Sequence, residues 1–288
     1  MASLRDLRKR IQTVKSTRQI TKAMKMVSAS KLRRSQDSLL SIRPYAYKLI
    51  GLINTLKDKM DDFEHPLISR REIKKTRLVI ISSDRGLCGS YNSNIIKKAE
   101  NYIREAGLTP DNCIIDFVGK KAYEYFKRRY TNIGDNYRID ENPTYQKISY
   151  LGARVIETYV AGDYDSLVVI YNEFKSAMNQ KITVERLFPI ITPEYEDVSI
   201  VDNFKYEPSK QKVLEGLLPQ YVKVEVLRIL LESFASEHGA RMTAMESATK
   251  NSDEMMKKLS LIYNRQRQAV ITTELMEIVS GKEALEQS

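Results

Sequence analysis

Apolar residues in the first stretch of the chain recur in helical steps. Leu4, Leu7, Ile11 and Val14 are spaced by threes and fours, the seam of a coiled coil. An extra three-residue step through Thr17 leads to Ile20, Met24 and Val27 and predicts a local change of winding. The other end repeats more strictly. Ala248, Met255, Ile262, Ala269 and Met276 fall seven apart, as do Ser252, Leu259, Gln266 and Thr273; Thr249, Met256, Tyr263 and Val270 widen the stripe. Ser252, Thr249, Gln266 and Thr273 are residues that a plain coiled-coil spacer avoids. They suit close backbone approach, or a face that slides against another protein.

Glycine and proline agree with this division. The first proline is Pro44 and the first glycine Gly51; after Pro219 there is no proline and only Gly239 and Gly281. Residues that interrupt helices are concentrated in the middle. The two ends predict helices of about 65 Å and about 100 Å at 1.5 Å per residue. Lone helices of that kind need a packed apolar face, so the ends are expected to wind around each other, antiparallel. Pro219 is expected to bend or break the last helix.

The middle alternates strand and helix. Residues 77–82 (RLVIIS), 114–118 (IIDFV) and 166–171 (SLVVIY) read as buried strands, with helices over 91–105, 119–129 and 144–161. That order predicts a mostly parallel sheet with crossover helices. Lys181 to Pro189 alternates and is expected to add at one edge, and Asn203 to Pro208 precede the final helix. The expected fold is α/β: a long antiparallel coiled coil of the terminal helices plus an inserted Rossmann-like domain. The expected division is 1–60 for the first helix, 76–205 for the α/β domain and 209–288 for the last helix.

Charge sharpens the picture. The 288 residues carry a formal net charge of +10. Residues 1–50 hold thirteen Lys/Arg against Asp6 and Asp37, a local +11, and the remaining 238 residues balance to −1. Hydrophobic content of 42% argues against disorder. Two cysteines, Cys88 and Cys113, exclude a disulfide scaffold, and with only His65 and His238 beside them no zinc site or other metal is expected. Arg228 interrupts the most apolar stretch, Val226 to Leu231, and no secretory signal is expected at the N-terminus. A soluble protein of a reducing compartment is expected.

No segment spells out catalysis. The turn Gly86 to Gly89 follows a strand but matches neither the phosphate-binding loop nor the dinucleotide fingerprint, and Gly281-Lys282 is followed by Glu283 rather than a hydroxyl. A turn needing positive φ explains the glycines. Cys88 reads as a small buried residue rather than a nucleophile. Asp84 and Arg85 read as a local ion pair or helix cap before an active-site pair. No catalytic residue and no cofactor are expected. The basic arm has a nucleic-acid reading, since Lys and Arg along a helix can follow phosphates. Against it, no aromatic precedes Tyr45, and an apolar seam runs through the arm. An acidic protein partner fits better.

Three sets of residues resemble one family. Ile11–Thr17 (IQTVKST), Ile20–Val27 (ITKAMKMV) and Ser30–Arg34 (SKLRR) closely resemble the opening helix of the gamma subunit of F-type ATP synthase. Ser82–Asn92 (SSDRGLCGSYN) is similar to that family's central motif. Ser236–Thr249 (SEHGARMTAMESAT) and Tyr263–Gly281 (YNRQRQAVITTELMEIVSG) resemble its final helix. The resemblance implies a rotor shaft inside a hexamer of alternating alpha and beta subunits, itself non-catalytic. It implies that Arg267, Gln268 and Thr272, with Arg241 lower down, match positions meeting the beta subunits' acidic loops. Lys22, Met24 and Lys25 match the N-terminal helix beside them. Tyr206, Glu207 and Pro208 match the foot that meets the epsilon subunit and the membrane c-ring.

Two departures stand out. Lys282 replaces a residue that the family pattern generally keeps small, and the close cysteine pair of the redox-regulated chloroplast form is absent. With no transit peptide expected, the resemblance implies a bacterial protein peripheral to the cytoplasmic side of the inner membrane. The competing readings are a nucleic-acid-binding coiled coil and an enzyme using the Gly86–Gly89 turn.

Overall fold

The computed structural model describes residues 3–286 apart from 58–59, 61–63, 70, 140–142, 144 and 192–204. Asn203 therefore lies outside the described residues. Two long helices, α1 (Leu4–Lys57) and α5 (Lys210–Glu286), flank an α/β region. That region runs β1 (Thr76–Ile81), α2 (Tyr91–Glu105), β2 (Cys113–Val118), α3 (Lys120–Phe126), β3 (Ile133–Tyr137), α4 (Tyr145–Val160), β4 (Ser166–Phe174) and β5 (Gln180–Phe188). The chain divides into two compact units: residues 1–27 with 242–288, and residues 28–241.

In the larger unit the strands lie in the order β3-β2-β1-β4-β5, parallel except for β5, which runs antiparallel along β4. Alternation in β1 and β4 feeds two cores. Leu78, Ile80, Val168 and Ile170 face α2 and α3, packing with Ile95, Ala99, Phe117 and Phe126. Ile81, Leu167, Val169 and Tyr171 belong to the other core, with Leu49, Ile53 and Leu56 of α1 and Leu214, Val222 and Leu230 of α5. A sheet covered on both faces explains why β1 and β4 read as continuous apolar runs.

Two expectations need correcting here. β3 falls where sequence reading places no strand. Its five residues, IGDNY, carry apolar side chains only at the two ends, because an edge strand pairs on one side and needs no apolar run. Pro219 does not end α5, which continues through it, as α1 continues through Pro44. The missing N–H removes one rung, but Leu214, Leu218 and Val222 are fully buried on either side and hold the segment helical.

The smaller unit is an antiparallel helix pair. Arg18 bonds Asp253, Thr21 meets Thr249, and Lys25 bonds Glu246. As the number rises along α1 it falls along α5. The change of winding expected at Thr17 is absent. Burial follows Leu4, Leu7, Ile11, Val14, Arg18, Thr21 and Lys25 without a break in the three–four stepping. The expectation followed apolar residues alone, and it led to the wrong face. Ile20 is 60% exposed and Val27 56%, while the seam at that level is made of polar groups pairing with α5.

Candidate functional site

An open parallel sheet usually holds its ligand outside the carboxyl ends of its strands. Here a cavity of about 290 Å³ lies beyond β1 and β2, with Ser82, Asp84, Gly119 and Lys120 in its lining. Gly119 has φ +92°, and a Cβ on it would lie 2.1 Å from the Ser82 carbonyl oxygen, so only glycine lets α3 start this close to β1. The N–H groups that open α3 are then already satisfied. Lys120 N–H donates to Asp84 Oδ1 at 3.0 Å, Lys121 N–H to the Ser83 carbonyl at 3.1 Å, and Ala122 N–H to Ser82 Oγ at 3.0 Å. Asp84 thus caps α3, as the sequence suggests. Its carboxylate sits where an anion would be received.

The Gly86–Gly89 turn differs in detail from expectation. Gly89 has φ +60°, but the other left-handed residue is Leu87 at φ +63°, not Gly86. Such a conformation costs a leucine about 1–2 kcal/mol, and the turn's own bonds hold it. Ser83 Oγ donates to the Arg85 carbonyl at 2.6 Å, and Arg241 donates to the carbonyls of Arg85 and Gly86. Cys88 is buried between Ser83 and Asn92, as a small packing residue would be.

The residues that the resemblance singles out fall into separate places. Arg267, Gln268 and Thr272 are exposed on α5 in the smaller unit, and Thr272 Oγ1 donates to the Gln268 carbonyl at 2.9 Å. The register explains their exposure. With residue 18 opposite 253 and 25 opposite 246, the start of α1 at Leu4 falls near residue 267. Beyond that level α5 has no facing helix among the described residues of the unit. Val270, Ile271, Leu275, Met276, Ile278 and Val279 stand exposed there, and so does Lys282. Lys22 is exposed and Met24 half-buried. Lys25 sits in the seam, its Nζ 2.9 Å from Glu246 Oε1, and this pairing holds the Glu246 carboxyl below the usual range.

Tyr206, Glu207 and Pro208 belong to the larger unit, just ahead of α5. Tyr206 is half-buried against the core, and Glu207 and Pro208 are exposed. Arg241 belongs to the larger unit too and is buried, with only 9% of its side chain exposed. Sequence reasoning missed the exposed apolar residues of the helix pair, Ile20, Met26, Val27, Leu261 and Ile262. The signal was present: apolar residues on α1 and α5 outnumber the positions that one seam can bury.

Comparison with known proteins bears on what such a surface is for. A family model described as ATP synthase matches residues 3–285. The ATP synthase gamma chain of Geobacter sp. (strain M21) is 48% identical over 285 residues, covering 99% of each chain. That of Geobacter metallireducens is 49% identical over 286 residues, again covering 99% of each. This chain belongs to the ATP synthase gamma-chain family. Among solved structures, the central stalk and c-ring of the Tetrahymena thermophila mitochondrial ATP synthase matches with a TM-score of 0.59 and 28% identity. The match covers 80% of this chain and 99% of that one. A Euglena gracilis mitochondrial ATP synthase chain shares the fold, with a TM-score of 0.65 at 21% identity over 98% of this chain and 94% of that one.

Membership of the gamma-chain family accounts for the two long helices around an α/β insert. Nothing in these relatives favours the nucleic-acid reading of the basic arm. Among the described residues no helix is long and apolar enough to cross a membrane, and no group of His, Cys, Asp or Glu could hold a metal ion.

Proposed function

We propose that this gamma chain is the central-stalk rotor of an F-type ATP synthase, non-catalytic itself, coupling ion flow through a membrane c-ring to ATP synthesis or hydrolysis in a hexamer of alpha and beta subunits. In this reading residues 1–60 and 209–288 form the shaft and 76–205 the α/β domain. The complex is peripheral on the cytoplasmic side of a bacterial inner membrane. The observation that carries the reading is the unpaired end of α5. Six apolar side chains between Val270 and Val279 face solvent where α5 has no facing helix among the described residues of its unit. Burying them requires a surrounding partner.

Lys22, Met24, Lys25, Arg267, Gln268 and Thr272 are assigned to the hexamer-facing surface, and Tyr206, Glu207 and Pro208 to the foot that meets epsilon and the c-ring. The physics follows from asymmetry. One shaft cannot touch three equivalent catalytic subunits alike, so each is biased differently between open and closed. The bias equals the difference in contact energy, and moving a subunit from 1:99 to 99:1 takes about 5.5 kcal/mol. A shaft that must keep turning is served by several exposed charge contacts of about 1 kcal/mol or less each, not by one deep lock.

Reconstitution tests this. Adding the purified chain to its own organism's alpha and beta subunits should raise ATPase activity and give rotation of a probe fixed to the chain. A hexamer whose activity is the same with and without it would overturn the reading.

A further inference from the structure

Along α5, Leu231 to Gly239 are nine successive residues buried on every side. A helix segment so enclosed is normally apolar all round. This one contains Glu232, Ser233, Ser236, Glu237 and His238, and Arg241 follows one turn after Glu237. Polar groups buried this thoroughly are normally bonded; Glu232 accepts from Arg228 within α5, and the bonds to other elements run in two directions.

On one side lies the β1–α2 turn. The Tyr91 hydroxyl donates to the Ser233 carbonyl at 3.2 Å. Arg241 Nε donates to the Gly86 carbonyl at 3.3 Å, and its Nη2 donates to the Arg85 carbonyl at 3.1 Å and reaches Glu237 Oε1 at 2.7 Å. On the other side lies β4 with the turn leading to β5. Ser236 Oγ donates to the Asn172 carbonyl at 2.9 Å. Gly239 has no Cβ, and one placed there would lie 3.2 Å from Ala177 Cα, so the turn closes directly on the helix backbone.

We propose that these two turns form a grip fixing α5 against rotation relative to the sheet, and that Arg241 is the positioning residue that closes its β1–α2 side. Its guanidinium is spent inside the chain, on two carbonyls, one carboxylate and the His238 ring nitrogen, rather than presented to a partner. The planar fork matters. It meets four acceptors in fixed directions, which a lysine ammonium on a flexible stem does not reproduce. The consequence rests on the rotor reading: torque carried by α5 reaches the α/β region through this grip, and a loosened grip lets α5 slip while ATP is hydrolysed.

Amide hydrogen exchange on the full chain tests the grip without any partner. Arg241→Lys should speed exchange about tenfold or more at Gly86–Gly89 and along 233–241 together, the response of one opened cooperative unit. Unchanged exchange overturns the proposal. In the complete complex in vesicles, Arg241→Lys and Arg241→Ala should each lower ion uptake per ATP hydrolysed about fivefold. Full coupling in Arg241→Lys, which keeps the charge, would mean that a partner reads the charge at 241 and would overturn the grip. If the wild-type chain gives no coupled uptake, the rotor reading fails instead, and the exchange result stands alone.

Discussion

Thr21 and Thr249 meet across the helix pair with their hydroxyl oxygens 2.8 Å apart. Each also lies within reach of a carbonyl of its own helix, Arg18 O at 3.1 Å for Thr21 and Met245 O at 2.7 Å for Thr249. Two hydroxyls have two protons for three contacts. One contact is therefore always without a proton, and the crossing bond competes with the two local ones. With the pairs Arg18–Asp253 and Lys25–Glu246 on either side, this stretch of seam is polar at every level. It specifies register more than it adds stability.

The expected outcome of valine substitution follows. Thr21→Val alone should be within about 0.5 kcal/mol of wild type, because Thr249 keeps its local acceptor. Thr21→Val with Thr249→Val places two branched apolar groups face to face and should gain about 1 kcal/mol. Urea unfolding of the full chain, read at the helix signal, measures both. A double variant less stable than either single one would show that the crossing bond dominates.

How far the sequence carries the fold depends on whether a residue's environment is written in its own neighbourhood. Leu4 to Val14 give the seam because their partners are apolar and local spacing suffices. Arg18, Thr21 and Lys25 continue it invisibly, since only Asp253, Thr249 and Glu246, more than two hundred positions away, make them interior. β1 and β4 are readable because both faces are buried; β3 is not, because an edge strand leaves no apolar run. Ser233 to His238 look like a solvated helix face and are instead enclosed by two turns. The surface positions came from the resemblance alone. Periodicity cannot distinguish Arg267 on an unpaired helix end from any other exposed arginine.

Arg267 is exposed, so reversing its charge should act on function and not on folding. Arg267→Glu is expected to leave the unfolding midpoint of the chain unchanged within about 0.5 kcal/mol. In the assembled complex the lost contact, and the repulsion in its place, should lower coupled ATPase activity about fivefold, the equivalent of about 1 kcal/mol. Coupled activity equal to wild type in an intact complex would remove Arg267 from the hexamer-facing surface.

In the larger unit, Arg228 holds three carboxylates at once: Glu225 at 2.7 Å, Glu185 at 2.8 Å and Glu232 at 3.1 Å, with the Tyr171 hydroxyl at 3.2 Å. Burial opposes the charged guanidinium, and Glu225, Tyr171 and Glu185 together outweigh it and push its pKa upward. Arg228→Met would leave those carboxylates enclosed without a cation. Breaking a buried pair from one side costs about 3–5 kcal/mol, and the variant should unfold at markedly lower temperature. A midpoint within a degree or two of wild type would show that water reaches the cluster.

Glu232 gives the same cluster a pH dependence. One of its oxygens, Oε2, is buried without a hydrogen-bond partner, and Oε1 accepts from Arg228. Burial raises its pKa, Arg228 pulls it back, and nearby Glu173 and Glu185 raise it again, leaving it above the ordinary carboxylate value. The folded chain therefore binds this proton more readily than the unfolded chain. Its contribution is fully present below the ordinary carboxylate pKa and is lost as pH rises through the folded value. Glu225 shifts in the same direction for the same cause, burial. Glu232→Gln removes the charge and keeps an acceptor for Arg228. The variant should flatten the fall in stability from mildly acidic to neutral pH and raise the midpoint at pH 8 by about 2–4 °C, the shift that 1 kcal/mol gives a unit of this size. Thermal unfolding of both chains across that range decides it: parallel curves would mean that Glu232 stays ionised throughout and that its buried oxygen finds a partner in solution.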